Sequence, residues 1–152
     1  MKKYMMTLAA LLAASNVMAA SAPAAEKPPI MVLTTVDFSG EQPKPLASTS
    51  YSLAAKNIQL CWEVVNAPLM IQNNVVEIFN TPAQAVFNSQ GSEVEVSKDK
   101  KQYTLTTMLP ATAAGTVSRC WTFDKTDPIG KYTLELKVND IVFQKQQFEI
   151  VK

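Results

Sequence analysis

The sequence predicts an all-β fold of about seven to nine strands, a β-sandwich or a small β-barrel, with one disulfide. Three observations favour it. Apolar residues recur with period two from about Ile30 onward and never keep a helical period over three turns. Turn-forming residues separate these stretches at spacings near ten residues, and the chain of 152 residues fits a single domain. We therefore expect one domain with one core.

The N-terminus predicts an export signal. Lys2 and Lys3 precede an apolar run over residues 5–14, and small residues follow it. Val17 and Ala19 fit the positions that a signal peptidase reads, so we expect residues 1–19 to be removed, with cleavage after Ala20 as the alternative. The apolar run is shorter than the roughly 20 residues that span a bilayer, which disfavours a membrane anchor. The predicted location is the periplasm, or the exterior after secretion.

The residues that follow predict a leader and then the folded domain. Residues 20–29 are rich in alanine and proline and have little apolar surface to bury, which indicates a flexible leader. The β-sandwich domain is expected over residues 30–152. Without Lys2 and Lys3, 12 of the 14 basic residues remain against 13 acidic ones, a formal charge of about minus one. This balance disfavours nucleic acid or an anionic membrane as the main partner.

The strands can be placed in order from the alternation. Val32, Thr34, Val36 and Phe38 predict the first strand, and a loop rich in proline follows over residues 40–50. Asn139 and Asp140 predict a tight turn between the last two strands. The remaining strands are predicted at residues 57–65, 75–79, 93–97, 103–108, 116–124, 131–138 and 141–151, with a short edge piece at 85–88.

The two cysteines stand in similar phrases, CWEV at residues 61–64 and CWTF at residues 120–123. Export to an oxidising compartment favours a Cys61–Cys120 disulfide, the one intramolecular pairing that two cysteines allow. In both strands the cysteine alternates with Trp62 or Trp121, so it lies on the opposite face. The pattern predicts neighbouring strands with the disulfide on the outer face and both indoles in the core.

Arg119, the one arginine of the chain, shares a face with Trp121. If the cysteines lie opposite each other, residue 119 pairs with residue 62 and residue 121 with residue 60. We expect the guanidinium to stack on Trp62 and to reach outward for a carboxylate or a carbonyl, since an unpaired buried charge is costly. The alternative is that Arg119 is an ordinary surface residue.

The stretch DPIGKYTLELKV at residues 127–138 resembles the turn and strand that form the tyrosine corner of immunoglobulin-like sandwiches. The resemblance implies an immunoglobulin-like antiparallel β-sandwich in which Tyr132 belongs to the core and its hydroxyl returns to the backbone near Asp127. It also implies that the strands at 57–65 and 116–124 are neighbours. Bacterial periplasmic domains of this architecture have many functions, so the resemblance indicates a fold and no activity.

The composition disfavours an enzyme or a metal site. The chain has no histidine, the commonest general base and a frequent metal ligand, and four glycines, none of them in a phosphate-binding loop. Glu93 and Glu95 share a strand face, but alternation with valine is typical of a solvent-facing strand. The methionines of the exported chain, Met31, Met70 and Met108, are widely spaced and are expected to fill the core. We expect no cofactor.

Binding is the remaining class of function. The two longest loops lie at residues 40–50 and 66–74, and the second carries the apolar residues Pro68, Leu69, Met70 and Ile71. These four form a candidate interaction loop if exposed, or the buried start of a strand. We expect a non-catalytic domain that binds an unidentified protein of the cell envelope, as an accessory or assembly factor for envelope or secreted proteins. The alternative is a periplasmic inhibitor or immunity protein that blocks a hydrolase.

Overall fold

The computed structural model describes residues 26–152, so the predicted signal peptide and most of the leader lie outside the described residues. The described chain forms eleven strands and no helix. Accordingly, within residues 26–152 there is no helix with the length and hydropathy to cross a membrane. The strands are β1 (Ile30–Asp37), β2 (Lys44–Pro45), β3 (Ser50–Ser52), β4 (Ile58–Val65), β5 (Gln72–Asn80), β6 (Glu93–Val96), β7 (Gln102–Pro110), β8 (Val117–Trp121), β9 (Gly130–Val138), β10 (Ile141–Val142) and β11 (Gln146–Val151).

The strands form two sheets. The small sheet has the order β2-β1-β4-β8, and the large sheet has the order β3-β11-β9-β5-β7-β6, with β10 paired to β9. All neighbours are antiparallel except β3 and β11, which run parallel. The prediction of an all-β sandwich is confirmed, and the strand count exceeds the prediction because β2, β3 and β10 have two or three residues each.

The core lies between the inner faces of the sheets, and aromatic side chains supply much of it. Trp62, Phe79, Tyr132 and Phe148 are fully buried there. Tyr132 stacks on Phe148 with ring centroids 5.0 Å apart, and Phe79 meets Trp121 edge to face at 5.3 Å. Large aromatic rings bury much apolar area per residue, so they hold the two sheets together.

The disulfide joins neighbouring strands of the small sheet, as the sequence predicts. Cys61 of β4 lies directly opposite Cys120 of β8, with their Cα atoms 4.0 Å apart. Their side chains lie on the outer face, and Trp62 and Trp121 lie on the core side. The bond fixes β8, an edge strand, to the centre of its sheet.

The first strand, β1, turns one set of its alternating side chains toward the core. Met31, Leu33 and Thr35 point into the core, while Val32 and Phe38 are exposed. Both sets of alternate positions in β1 are largely apolar, so the pattern alone did not decide between them.

Three other segments differ from the sequence prediction. Residues 85–88 form no strand, because Phe87 turns into the core from an irregular segment. The predicted final strand is divided into β10 and β11 by residues 143–145. The loop at 40–50 contains β2, which pairs with the end of β1. The turn at Asn139 and Asp140 is observed, since Val138 pairs with Ile141 across it.

The turn into β9 has the contacts that the resemblance implies. The Tyr132 hydroxyl donates a hydrogen bond to the carbonyl of Pro128 at 2.6 Å. Gly130 adopts a positive φ of 135° beside Pro82, whose side chain would lie 3.2 Å from an added Cβ atom. A side chain at this position would meet both the strained backbone and the proline ring, so glycine is required.

Candidate functional site

The most unusual group inside the sandwich is a buried carboxylate that the sequence analysis did not single out. Glu77 of β5 is fully buried between the sheets. Trp62 and Trp121 of the small sheet each donate an indole N–H to its Oε1 atom, at 2.6 and 2.8 Å. Arg119 donates to its Oε2 atom at 2.7 Å. We call Trp62, Glu77, Arg119 and Trp121 the Glu77 cluster.

The Glu77 cluster links the two sheets through charge and hydrogen bonds. Burial raises the pKa of Glu77, while the Arg119 charge and the indole N–H groups partly oppose that rise. The guanidinium lies over the ring of Trp121, 4.4 Å from its centroid. Arg119 is opposite Trp62 in the strand register, as predicted, but the predicted stacking on Trp62 is wrong. The guanidinium turns inward because the carboxylate of the facing sheet neutralises it.

Arg119 also holds an irregular segment of residues 81–92, which we call the strap. Its guanidinium donates hydrogen bonds to the side-chain oxygens of Ser89 and Ser92, and to Thr107 of β7 at 3.1 Å. Phe87 of the strap packs on Trp121 with ring centroids 5.9 Å apart. The strap therefore packs against the side chains of Arg119 and Trp121 on β8.

The Glu77 cluster has the character of a structural site. Its carboxylate is inaccessible, and both of its oxygens accept hydrogen bonds from side chains of the opposite sheet. The two glutamates considered in the sequence, Glu93 and Glu95, lie elsewhere, exposed on the edge strand β6. The contacts of the cluster therefore connect β5 of the large sheet to β4 and β8 of the small sheet.

The loop that joins β4 to β5 carries the four apolar residues singled out in the sequence. Residues 66–71 form no strand, and β5 begins at Gln72, so the four are not the buried start of a strand. Leu69 packs against the core, whereas Pro68 is exposed. Met70 is 58% exposed and Ile71 is 87% exposed. The expectation of methionine as core filler holds for Met31 and is wrong for Met70 and Met108, which is also exposed.

The loop is held in place by Asn73, a fully buried polar residue that the sequence analysis also missed. Its Oδ1 atom accepts the Met70 N–H at 2.9 Å, and its Nδ2 atom donates to the Met70 carbonyl at 2.9 Å. Asn139 donates to the same Oδ1 atom at 2.9 Å. The backbone on both sides of the exposed Ile71 is thus anchored, since Ala111 donates its N–H to the Ile71 carbonyl at 3.2 Å.

The outer face of the small sheet carries a shallow apolar groove of about 460 Å³. The Cys61–Cys120 disulfide forms part of its floor, and Val32 lies beside it on β1. Phe38, Pro43 and Pro45 line one end, with Glu63 among the polar lining residues. The groove is apolar because Val32 and Phe38 lie on the outer face of the sheet.

These observations define the class of protein as a disulfide-linked β-sandwich with a carboxylate-centred interior and an anchored apolar loop. The chain belongs to a β-sandwich family, because the family model for the PM0630 beta sandwich domain matches residues 31–151. A relative, uncharacterized protein PM0630 of Pasteurella multocida (strain Pm70), is 36% identical over 126 residues, which cover 82% of this chain and 79% of the relative.

The Pseudomonas fluorescens alkylpurine DNA glycosylase AlkC, bound to DNA containing an abasic site analog, is similar over 82% of this chain, with 12% identity and a TM-score of 0.41. The chain spans 30% of that protein's length. At this TM-score the similarity carries no argument about fold or function.

Proposed function

We propose that this protein is a non-catalytic periplasmic protein-interaction domain, an accessory or assembly factor for envelope or secreted proteins. The observation that carries the proposal is the anchored loop with Met70 and Ile71 exposed at its tip. Large apolar side chains on a preorganised loop favour binding, because little conformational entropy is lost when a partner covers them. The immunoglobulin-like interpretation of the sandwich belongs to the same proposal, and the Tyr132 contact to Pro128 supports it.

The periplasmic location is supported by two separate features. The N-terminal sequence has the pattern of a secretory signal. The Cys61–Cys120 disulfide is of a kind that persists in oxidising compartments. The proposal that the protein has no enzymatic activity rests on the lack of histidine in the sequence and on the exposure of Glu93 and Glu95 on the edge strand β6.

The second candidate function is an inhibitor or immunity protein that blocks a hydrolase. The exposure of Ile71 on an anchored backbone favours it, because a single protruding side chain on a rigid loop suits insertion into an active-site cleft. The two candidates differ in what they bind. An inhibitor would abolish the activity of one hydrolase at equimolar ratio, whereas an assembly factor would leave the activity of its partner intact.

A photo-crosslinking experiment tests the proposal. A photoreactive amino acid replaces Ile71 in the exported protein, and a matched control carries it at Val142, which is 71% exposed on β10. We expect one or a few envelope proteins to crosslink through position 71 and not through position 142. Crosslinks that are identical at both positions, or absent at both, would contradict the proposed role of the loop.

A further inference from the structure

The free edge of the small sheet has backbone groups that are arranged to receive another strand. β8 pairs with β4 on one side and is the last strand of its sheet. The Cα atoms of Cys61 and Cys120 are 4.0 Å apart, the short separation of a non-hydrogen-bonded antiparallel pair. The backbone N–H and C=O groups of Arg119 and Trp121 therefore form hydrogen bonds with β4. The backbone N–H and C=O groups of Ser118 and Cys120 point away from β4.

The outward groups of this edge have no partner among residues 26–152. Within these residues, neither the backbone nor the side chain of Ser118 or Cys120 makes a hydrogen bond outside the pairing with β4. Thr122 is the next outward-facing position, just after β8, and it makes none either. All three residues are exposed. Thr116, the preceding position of the same alternation, is different because its carbonyl accepts the Thr112 N–H at 2.8 Å.

The other edges of the sandwich are less suited to strand addition. β2 has two residues, one of them a proline, and β3 has three. β6 has four residues and carries Glu93 and Glu95. Short strands, prolines and charges are the usual protection of a sheet edge. The strap touches β8 through the side chains of Arg119 and Trp121 and leaves the outward backbone groups free.

We propose that β8 is an acceptor edge, to which an extended segment of a partner protein adds as a further strand, with a lysine or arginine directed beside Trp121. This inference rests on the proposed protein-binding function and gives it a second surface, separate from the Met70–Ile71 loop. The alternation of Ser118, Cys120 and Thr122 presents N–H and C=O groups at every second residue, which is the pattern an extended backbone pairs with.

The basic side chain of the occupant is inferred from the cavity at the end of β8. A cavity of about 280 Å³ lies between the strap and residues 121–127. Val86 and Phe87 form an apolar wall of this cavity, and Asp124 and Asp127 supply carboxylates. No basic residue of the described chain lines the cavity. A long basic side chain fits this combination, since its aliphatic stem contacts apolar wall while its charged end meets the carboxylates.

A phage-displayed library of random linear peptides, selected against the disulfide-bonded protein, tests the inference. We expect the enriched peptides to show the two-residue side-chain period of a β-strand and to carry lysine or arginine. Ser118→Pro should weaken their binding about tenfold or more, because it removes an outward N–H and places a ring at the edge. Proline is compatible with the fold at an edge position whose N–H faces solvent. Ser118→Ala keeps the N–H and should bind as the wild type does.

A second measurement does not depend on the proline variant being folded. Amide exchange of the wild-type protein, followed by NMR, should show slower exchange at Ser118, Cys120 and Thr122 when an enriched peptide binds. Asp127→Asn should reduce the preference for basic peptides, and added salt should weaken their binding.

Several outcomes would overturn the inference. These are the failure to enrich peptides, equal affinity for Ser118→Pro and wild type, and unchanged exchange at the three edge amides. Dimerisation of the protein that Ser118→Pro abolishes would make a second copy the occupant and contradict a separate partner. Peptides that bind Ser118→Pro normally but lose affinity with Ile71→Ser would reject the β8 edge and still support the proposed function.

Discussion

Glu77 of β5 and Arg119 of β8 form an ion pair across the interior of the sandwich, with 2.7 Å between Oε2 and the guanidinium nitrogen. The carboxylate is fully buried, and 16% of the arginine side chain is exposed. The two indole N–H groups that meet the other oxygen belong to the small sheet, so this carboxylate of the large sheet accepts hydrogen bonds from three side chains of the facing sheet. The pair therefore connects the two sheets through their interior.

Removal of Arg119 should be strongly destabilising. Arg119→Ala leaves the Glu77 charge buried without its counter-ion, so we expect a loss of about 3–5 kcal/mol in the free energy of unfolding. The exposed pair of Lys145 and Glu135 offers a control, and Lys145→Ala should cost about 0–1 kcal/mol. Urea unfolding measures both, and the fluorescence of Trp121 should shift in the Arg119 variant.

A double-mutant cycle separates the pair from its surroundings. The Glu77→Leu and Arg119→Met double variant should lose less stability than the sum of the two single variants, because it leaves neither charge alone. Strictly additive losses would show that the two residues stabilise the sandwich independently.

Loss of the disulfide should remove a large share of the stability. The bond joins residues separated by 59 positions, and closure of such a loop stabilises a fold by about 4 kcal/mol in the chain-entropy model. We expect the Cys61→Ala and Cys120→Ala double variant to lose a similar amount in urea unfolding. A loss below about 1 kcal/mol would mean that the unfolded chain is already restrained near these residues.

Asn73 should control the order of the exposed loop. Asn73→Ala removes the partners of the Met70 N–H and carbonyl, so we expect a loss of about 1–3 kcal/mol and faster amide exchange at Met70. Asn74→Ala is the matched control, because the neighbouring side chain is exposed. If both variants leave exchange at Met70 unchanged, the loop owes its order to other contacts.

Asp124 should contribute to the stability of the protein above the acidic range. The hydroxyl of Thr126, and then its backbone N–H, hold the pKa of Asp124 below its ordinary value of 3.8. A lowered folded-state pKa gives stability that is present above the unfolded pKa and is lost as pH falls through the folded one.

We therefore expect Asp124→Asn to lose less stability than wild type when the pH is lowered through this range. Urea unfolding at a series of pH values measures the difference, and Thr126→Ala should reproduce part of it. Parallel stability curves for wild type and Asp124→Asn would contradict the assignment.

The sequence predicts much of the fold because several patterns agree. In both strands the cysteine and the tryptophan that follows it lie on opposite faces. This shared alternation predicts that Cys61 pairs with Cys120, which is the register observed between β4 and β8. The parity of β1 is ambiguous because Val32 and Leu33 are equally apolar. Pairing with β4 alone leaves both faces possible, and only the packing of the second sheet decides between them.

The interior polar contacts were harder to predict. Glu77 shares a strand face with Val75 and Phe79, and a carboxylate on an apolar face is a signal of burial with a partner. The pattern does not say which cation is the partner, because Arg119 lies 42 positions away and on the other sheet. Asn73 gives a weaker signal, since asparagine is common in exposed loops.

The affinity of the captured envelope partner for wild type and for the Met70→Ser and Ile71→Ser double variant tests the central claim most directly. Val142→Ser is the control of similar exposure. An apolar side chain at the centre of an interface contributes about 2 kcal/mol or more, so we predict that the double variant binds at least about thirtyfold more weakly. Equal affinity of the double variant and the wild type would contradict a binding role for the loop.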